Sequence, residues 1–194
     1  MNDLMLDVGQ ANELKLAFRR NNWNNVQIKT LSQGNALAEV LEVIKGNAEI
    51  KMIEHLIDCD VTPRTPPHYS VEEHRKGGLW RWNPKIELFA PWRQRRAPVK
   101  GAFLRKRLRK KNVLNANVLD YLLEHPELIP EGWKDKTVCF WGTIYRSYKG
   151  DLGVRCLRWM EFRWIWEIDW IDDKCQFYPY APAALATNLF SLST

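Results

Sequence analysis

The sequence predicts an α+β protein: a small N-terminal helical unit, a central basic segment and helix, and a C-terminal antiparallel β-meander rich in Trp. Three observations lead there. Apolar residues recur at helical spacing through the first 46 residues. Three runs in the last third alternate apolar and polar side chains with the period of two that a strand requires. Between them, ten Lys or Arg fall between Arg93 and Lys111 without a single acid. A length of 194 residues fits one domain with a small annex. The expected division is a helical unit over residues 1–46 and an α+β domain over residues 47–194, with its basic segment at 91–111 and its sheet at 137–171. With 45% hydrophobic and 27% charged residues, the chain can bury a core and does not have the composition of a disordered one.

Each element has a local reason. Ala11, Leu14, Ala17 and Phe18 share one helical face, with Lys15, Arg19 and Arg20 opposite, and the Asn-rich stretch around Trp23 ends that helix. A second short helix is expected from Val26 to Leu31, stopped by Ser32, Gln33 and Gly34. A third begins at Asn35 and carries Leu37, Val40, Leu41 and Ile44, with Gly46 placed as its C-terminal stop. Residues 48–60 lean toward strand through their β-branched content, and Pro63, Pro66 and Pro67 then impose an extended loop. Two short strands are expected at residues 79–82 and 85–89 around an Asn83-Pro84 turn.

In the basic segment Pro98 and Gly101 predict an irregular first half, and residues 102–111 a short helix with Phe103, Leu104 and Leu108 on one side. The next helix, from about Asn115 to His125, turns Val118, Tyr121 and Leu122 inward and ends at Pro126. The meander follows at residues 137–146, 152–160 and 162–170. In its third run Trp164, Trp166, Ile168 and Trp170 share a face; it reads as core, an exposed aromatic platform for bases or sugars being the alternative, with Arg155 and Arg163 opposite.

The charge pattern is the strongest pointer to function. Net charge is +6, yet outside residues 93–111 the chain is net acidic, so basicity belongs to one segment. Cations held this close repel one another, and an anionic polymer relieves that cost while releasing its own counterions. The residues expected to contact nucleic acid are Trp92, Arg93, Arg95, Arg96, Lys100, Arg105, Lys106, Arg107, Arg109, Lys110 and Lys111, with Trp92 stacking on bases. An acidic protein face or membrane surface would meet the same charge, and a merely solvated cationic face is the plain alternative. The third N-terminal helix presents Glu39 and Glu42, which argues against its reading DNA and favours packing or protein contact.

Only one stretch gathers metal-ligating types. Glu54, His55, Asp58, Cys59 and Asp60 precede His68, Glu72, Glu73 and His74, and a metal-dependent hydrolase or nuclease would use His55, Asp58, Asp60 and His74. Signatures for nucleotide-binding loops, zinc proteases and serine hydrolases are missing. The favoured reading is therefore a non-enzymatic binding protein without a cofactor, a divalent metal being the alternative, and a protein-interaction module using the N-terminal helices a third reading. Four scattered cysteines without a Cys-x-x-Cys pair, no leader-like N-terminus and no apolar run of ~18 residues predict a cytoplasmic protein with reduced thiols.

Several phrases resemble a family of bacterial proteins with no assigned activity: Ile57-Asp58-Cys59-Asp60, Val71-Glu72-Glu73-His74-Arg75-Lys76-Gly77-Gly78, the run from Val113 to Leu123, Leu128-Ile129-Pro130-Glu131, and Phe140-Trp141-Gly142-Thr143-Ile144-Tyr145-Arg146. The resemblance extends from about residue 50 to the Ala181-Pro182-Ala183-Ala184 tail and implies no catalytic residue. The density of cations at 93–111 is a departure from it.

Overall fold

A computed structural model describes residues 7–51, 53–83, 86–172 and 175–186, and the chain divides into two units, residues 1–53 and 54–194. The first unit holds α1 (Val8–Arg20), α2 (Asn25–Leu31) and α3 (Ala36–Ile44). Asp7 opens α1 with a reciprocal cap: its carboxylate accepts from the Gln10 N–H at 2.7 Å, and the Gln10 side chain accepts from the Asp7 N–H. Asn24 and Gln27 repeat the device on α2. None of the three helices has a buried residue.

In the second unit the predicted meander is the centre of the fold. Strands β6 (Thr137–Ser147), β7 (Leu152–Met160) and β8 (Arg163–Trp170) pair antiparallel in chain order. Along its other edge β6 takes two partners: β10 (Ala183–Leu185), parallel near Cys139, and β2 (Tyr69–His74), antiparallel from Thr143 to Ser147. Beyond β10 lies β4 (Glu87–Phe89), completing a six-stranded sheet. Two small ladders stand apart, β1 (Leu56–Asp58) with β3 (Leu79–Arg81), and β5 (Val99–Lys100) with β9 (Gln176–Phe177). Helices α4 (Trp92–Arg96), α5 (Gly101–Leu108) and α6 (Ala116–Glu124) complete the unit.

Alternation along the strands sorts the core into two layers. Val138, Phe140 and Leu157 pack with Val118, Leu119 and Leu122 of α6, beside Trp82 and Trp133. Cys139, Trp141, Val154 and Cys156 face the other way and pack with Leu104 and Leu108 of α5 and with Phe177. Between Cys139 and Ile144 the β6–β7 register shifts. There Gly142 leaves the ladder: its N–H donates to Leu114 O at 2.8 Å and its carbonyl accepts from Arg75 N–H at 2.7 Å. A side chain at Gly142 would meet the Asn115 backbone at 2.8 Å, so only glycine lets the start of α6 seat on the bent strand.

Some expectations are corrected. The strands read around Asn83-Pro84 are both present, but β3 joins β1 and β4 joins β10; residues 84 and 85 lie outside the described residues. Among the described residues of 48–60, which exclude residue 52, only Leu56–Asp58 enters a ladder. The first half of the basic segment is helical as α4, because Gln94, 1% exposed, anchors that turn by donating to Tyr178 O and Ala181 O. Gly101 starts α5 instead of breaking it, since any Cβ there would lie 2.6 Å from Ile171 Cα. Arg155 does not lie opposite the tryptophan face of β8. It pairs with Ile168 across the strands, so it shares that face, and its guanidinium stands 4.5 Å from the Trp166 ring. That face is only partly core: Trp164 and Trp170 are half-buried and Trp166 is exposed. No helix among the described residues is long and apolar enough to cross a membrane.

Candidate nucleic-acid interface

Two buried anchors present the basic segment. Gln94 fixes α4, and Leu104 with Leu108, spaced about one helical turn apart on α5, sink that helix into the core. What remains outward is cationic. Arg93, Arg95 and Arg96 are exposed on α4, and Lys106, Arg107, Arg109 and Lys110 are exposed on or just beyond α5, while Lys111 and Arg105 are half-buried. Lys100 is exposed on β5 and engaged in an interaction of its own. The guanidinium of Arg75 donates to Leu108 O and Lys111 O, at 3.2 Å each, which satisfies carbonyls at the end of α5 and ties the cationic helix to β2.

Aromatic rings organise these charges. Arg93 of α4 and Arg107 of α5 both stand 5.6 Å from the Phe103 ring, so one phenyl group joins the two helices into a single cationic surface. Lys111 lies 4.1 Å from the Phe89 ring. Trp92 is 59% exposed and carries the Arg96 guanidinium at 5.2 Å. Beside α4, pinned by the Gln94 bond to Tyr178 O, Tyr178 and Tyr180 stack with ring centroids 5.4 Å apart and planes 8° from parallel, both largely exposed. Sequence reasoning missed this tyrosine pair. Its chain position far from α4 hides it, and the signal available was Tyr-Pro-Tyr spacing, which puts two rings on one side of an extended chain.

A cleft of about 900 Å³ runs along α5. Arg105, Lys106 and Arg109 fall on one helical stripe with Ala102 and form its basic wall, with Arg75 adding a fourth cation. Glu73, Asp151 and Asp172 also reach it, and Glu73 is ion-paired to Arg105. The cleft is thus mixed in charge, whereas the surface around α4 and Phe103 is cationic and aromatic.

The residues read as metal ligands do not converge. His74 uses both ring nitrogens, Nδ1 with Thr143 Oγ1 at 2.9 Å and Nε2 with Cys59 O at 3.0 Å. Cys59 O can only accept, so Nε2 donates to it; Nδ1 of the neutral ring then accepts the Thr143 hydroxyl, leaving no lone pair for a metal. His55 Nδ1 bonds the Tyr121 hydroxyl at 2.9 Å. Asp58 and Asp60 accept backbone N–H groups, from Asp60 and Gly78. Asn115 donates to Cys59 O and Arg75 O, and Asn117 to Asp58 O and Val61 O. Residues 57–60, 71–78, 113–123 and 140–146 therefore meet in a hydrogen-bonded hub that holds β1, β2, α6 and the bend of β6 together.

Burial, followed by the charges of Asp58 and Asp60, pushes the Cys59 thiol from its ordinary 9.0 up to about 12. Opposite the hub, the Arg155 guanidinium, 3% exposed, donates to both carboxylate oxygens of Asp120 at 2.7 and 3.2 Å. Among the described residues, the ligand atoms that do converge belong to Cys139, Cys156 and Asp169. No protein-family model, curated protein or solved structure matches the chain.

Proposed function

We propose that the chain is a non-enzymatic binding protein that holds nucleic acid, largely without sequence preference, on the surface made by α4 and α5. The observation that carries this reading is Phe103, which brings Arg93 and Arg107 together from two helices beside the exposed Trp92. Phosphates would be met by Arg93, Arg95, Arg96, Lys106, Arg107, Arg109 and Lys110, and by Arg105 on leaving its Glu73 partner, and unpaired bases by Trp92 and the Tyr178–Tyr180 stack. Arg and Lys side chains meet phosphates whatever the sequence and aromatic rings stack on any base, so in this reading affinity comes from charge and stacking. Free thiols at Cys59, Cys139, Cys156 and Cys175 fit the cytoplasmic setting expected from the sequence.

The test replaces Arg105, Lys106, Arg107, Arg109 and Lys110 by Ser and measures binding of labelled single- and double-stranded oligonucleotides. Losing five phosphate contacts should flatten the salt slope by about 3.5 to 4.5. Unchanged affinity and slope would refute the assignment.

A second reading rests on a separate observation. Leu37, Leu41 and Ile44 are exposed on α3, and no residue of α1, α2 or α3 is buried, so these helices display apolar area that a protein partner would cover. Under this reading Leu41→Glu abolishes association of the full chain with that partner and leaves oligonucleotide binding intact. Association that survives Leu41→Glu contradicts it.

A further inference from the structure

Strands β6, β7 and β8 bring two sulfurs and a carboxylate to one place. Cys139 and Cys156 are direct partners across β6 and β7, which sets both side chains on the sheet face that packs with α5. Asp169 is the partner of Val154, one diagonal step from Cys156 on the same face. Cys156 Sγ lies 3.5 Å from Asp169 Oδ2, and one ligand atom from each of the three residues lies within 4.8 Å of the others. Both cysteines are fully buried. Backbone ladders impose this convergence, so the donors are in place before anything binds.

Burial holds both thiols in their protonated form, so a bound ion must displace those protons. Burial, and then the charge of Glu167, raise the Asp169 carboxyl above its usual range. Arg158, on the same face, donates to Glu167 at 3.0 Å. Asp169 Oδ2 accepts the Cys156 thiol, a weak donor.

We propose that Cys139, Cys156 and Asp169 bind one divalent ion of the zinc class, through two thiolates and one carboxylate oxygen, with a fourth position open to water or a small ligand. Sulfur donors select a borderline or soft ion over magnesium or calcium, and three protein ligands with one open position form a known zinc arrangement. Binding breaks two S–H bonds and releases those protons to solvent, along with the carboxyl proton where Asp169 carries one. Arg158 then faces a site of net negative charge and offsets it. This site is separate from the histidine and aspartate quartet read from sequence, and it does not depend on nucleic-acid binding.

The experiment uses the full chain, reduced, stripped with a chelator and titrated with Co2+ and then Zn2+. The expected result is one equivalent of cobalt with thiolate-to-metal charge transfer and tetrahedral d–d absorption, both displaced by zinc. Asp169→Asn should keep the charge-transfer band and weaken cobalt affinity by at least ~10-fold. Cys139→Ala should abolish the band, while Cys175→Ser leaves it unchanged; circular dichroism confirms that each variant is folded. An absent charge-transfer band, a band that survives Cys139→Ala, an Asp169→Asn variant with native affinity, or a Cys139–Cys156 disulfide detected by mass in the reduced preparation would each overturn the proposal.

Discussion

Replacing Asp120 by Asn should destabilise the second unit more than any comparable change at its surface. Arg155 is 3% exposed, and its two bonds to Asp120, at 2.7 and 3.2 Å, are what keep a guanidinium charge tolerable there. Burial works against that charge, and the Asp120 carboxylate outweighs it. Asparagine keeps the size and removes the countercharge, leaving a buried cation without compensation. Such a loss costs about 3–5 kcal/mol. The Trp166 ring at 4.5 Å retains part of the stabilisation, which brings the expectation to about 3 kcal/mol. For a chain of this size that lowers Tm by roughly 6–12 °C.

Differential scanning fluorimetry and urea denaturation measure it, with Glu72→Gln as the control. The Glu72–Arg146 pair has equally short contacts, at 2.6 and 2.7 Å, but sits in solvent, where a pair is worth less than ~1 kcal/mol. Asp120→Leu combined with Arg155→Met should recover much of the loss, because no charge is then stranded. An Asp120→Asn variant no less stable than Glu72→Gln would refute the reasoning.

Three further outcomes follow from particular contacts. Glu73→Gln frees Arg105 from its competing ion pair and should tighten oligonucleotide binding; unchanged or weaker binding counts against a role for the α5 stripe. Gly142→Ala forces a methyl group against the Asn115 backbone and should cost about 1–3 kcal/mol in urea denaturation, with Gly132→Ala, which meets open space, as the neutral comparison. With its thiol held up to about 12, Cys59 is a thiolate in only about 1 molecule in 10,000 at pH 8, so native protein should alkylate at half-buried Cys175 well before Cys59. Because the folded chain keeps that proton and the unfolded chain loses it near 9, stability should decline as pH rises from about 9 to 12, and Cys59→Ala should reduce that decline.

The meander and α6 were legible because their signals are local. Long period-two runs and the Asn115 and Pro126 boundaries need no knowledge of the rest of the chain. The second edge of β6 was not, since β10 and β2 are short strands from distant parts of the chain whose pairing is decided by tertiary packing. Helix α4 formed against its local pattern because buried Gln94 found two carbonyls near the C-terminus. For the same reason the Tyr178–Tyr180 stack could not be placed beside the basic segment from sequence. The Cys139–Cys156 pairing was hidden by the bend at Gly142. A ladder continued evenly from Arg146 and Leu152 would set Cys139 against Trp159, and the irregularity moves it three residues, to Cys156. His74 suits a metal by residue type, but its partners are distant in sequence: both ring nitrogens bond within the hub, to Thr143 and to Cys59 O.

The most direct test of the central claim is the salt dependence of single-stranded oligonucleotide binding by the intact chain, followed by fluorescence anisotropy. If five cations of α5 and its C-terminal extension meet phosphates, affinity should fall roughly a hundredfold between 50 and 200 mM salt. Trp92→Ala should weaken binding by about 1–3 kcal/mol at every salt concentration, as the loss of one stacked base requires. No binding at low salt, or binding indifferent to both salt and Trp92, would contradict the account.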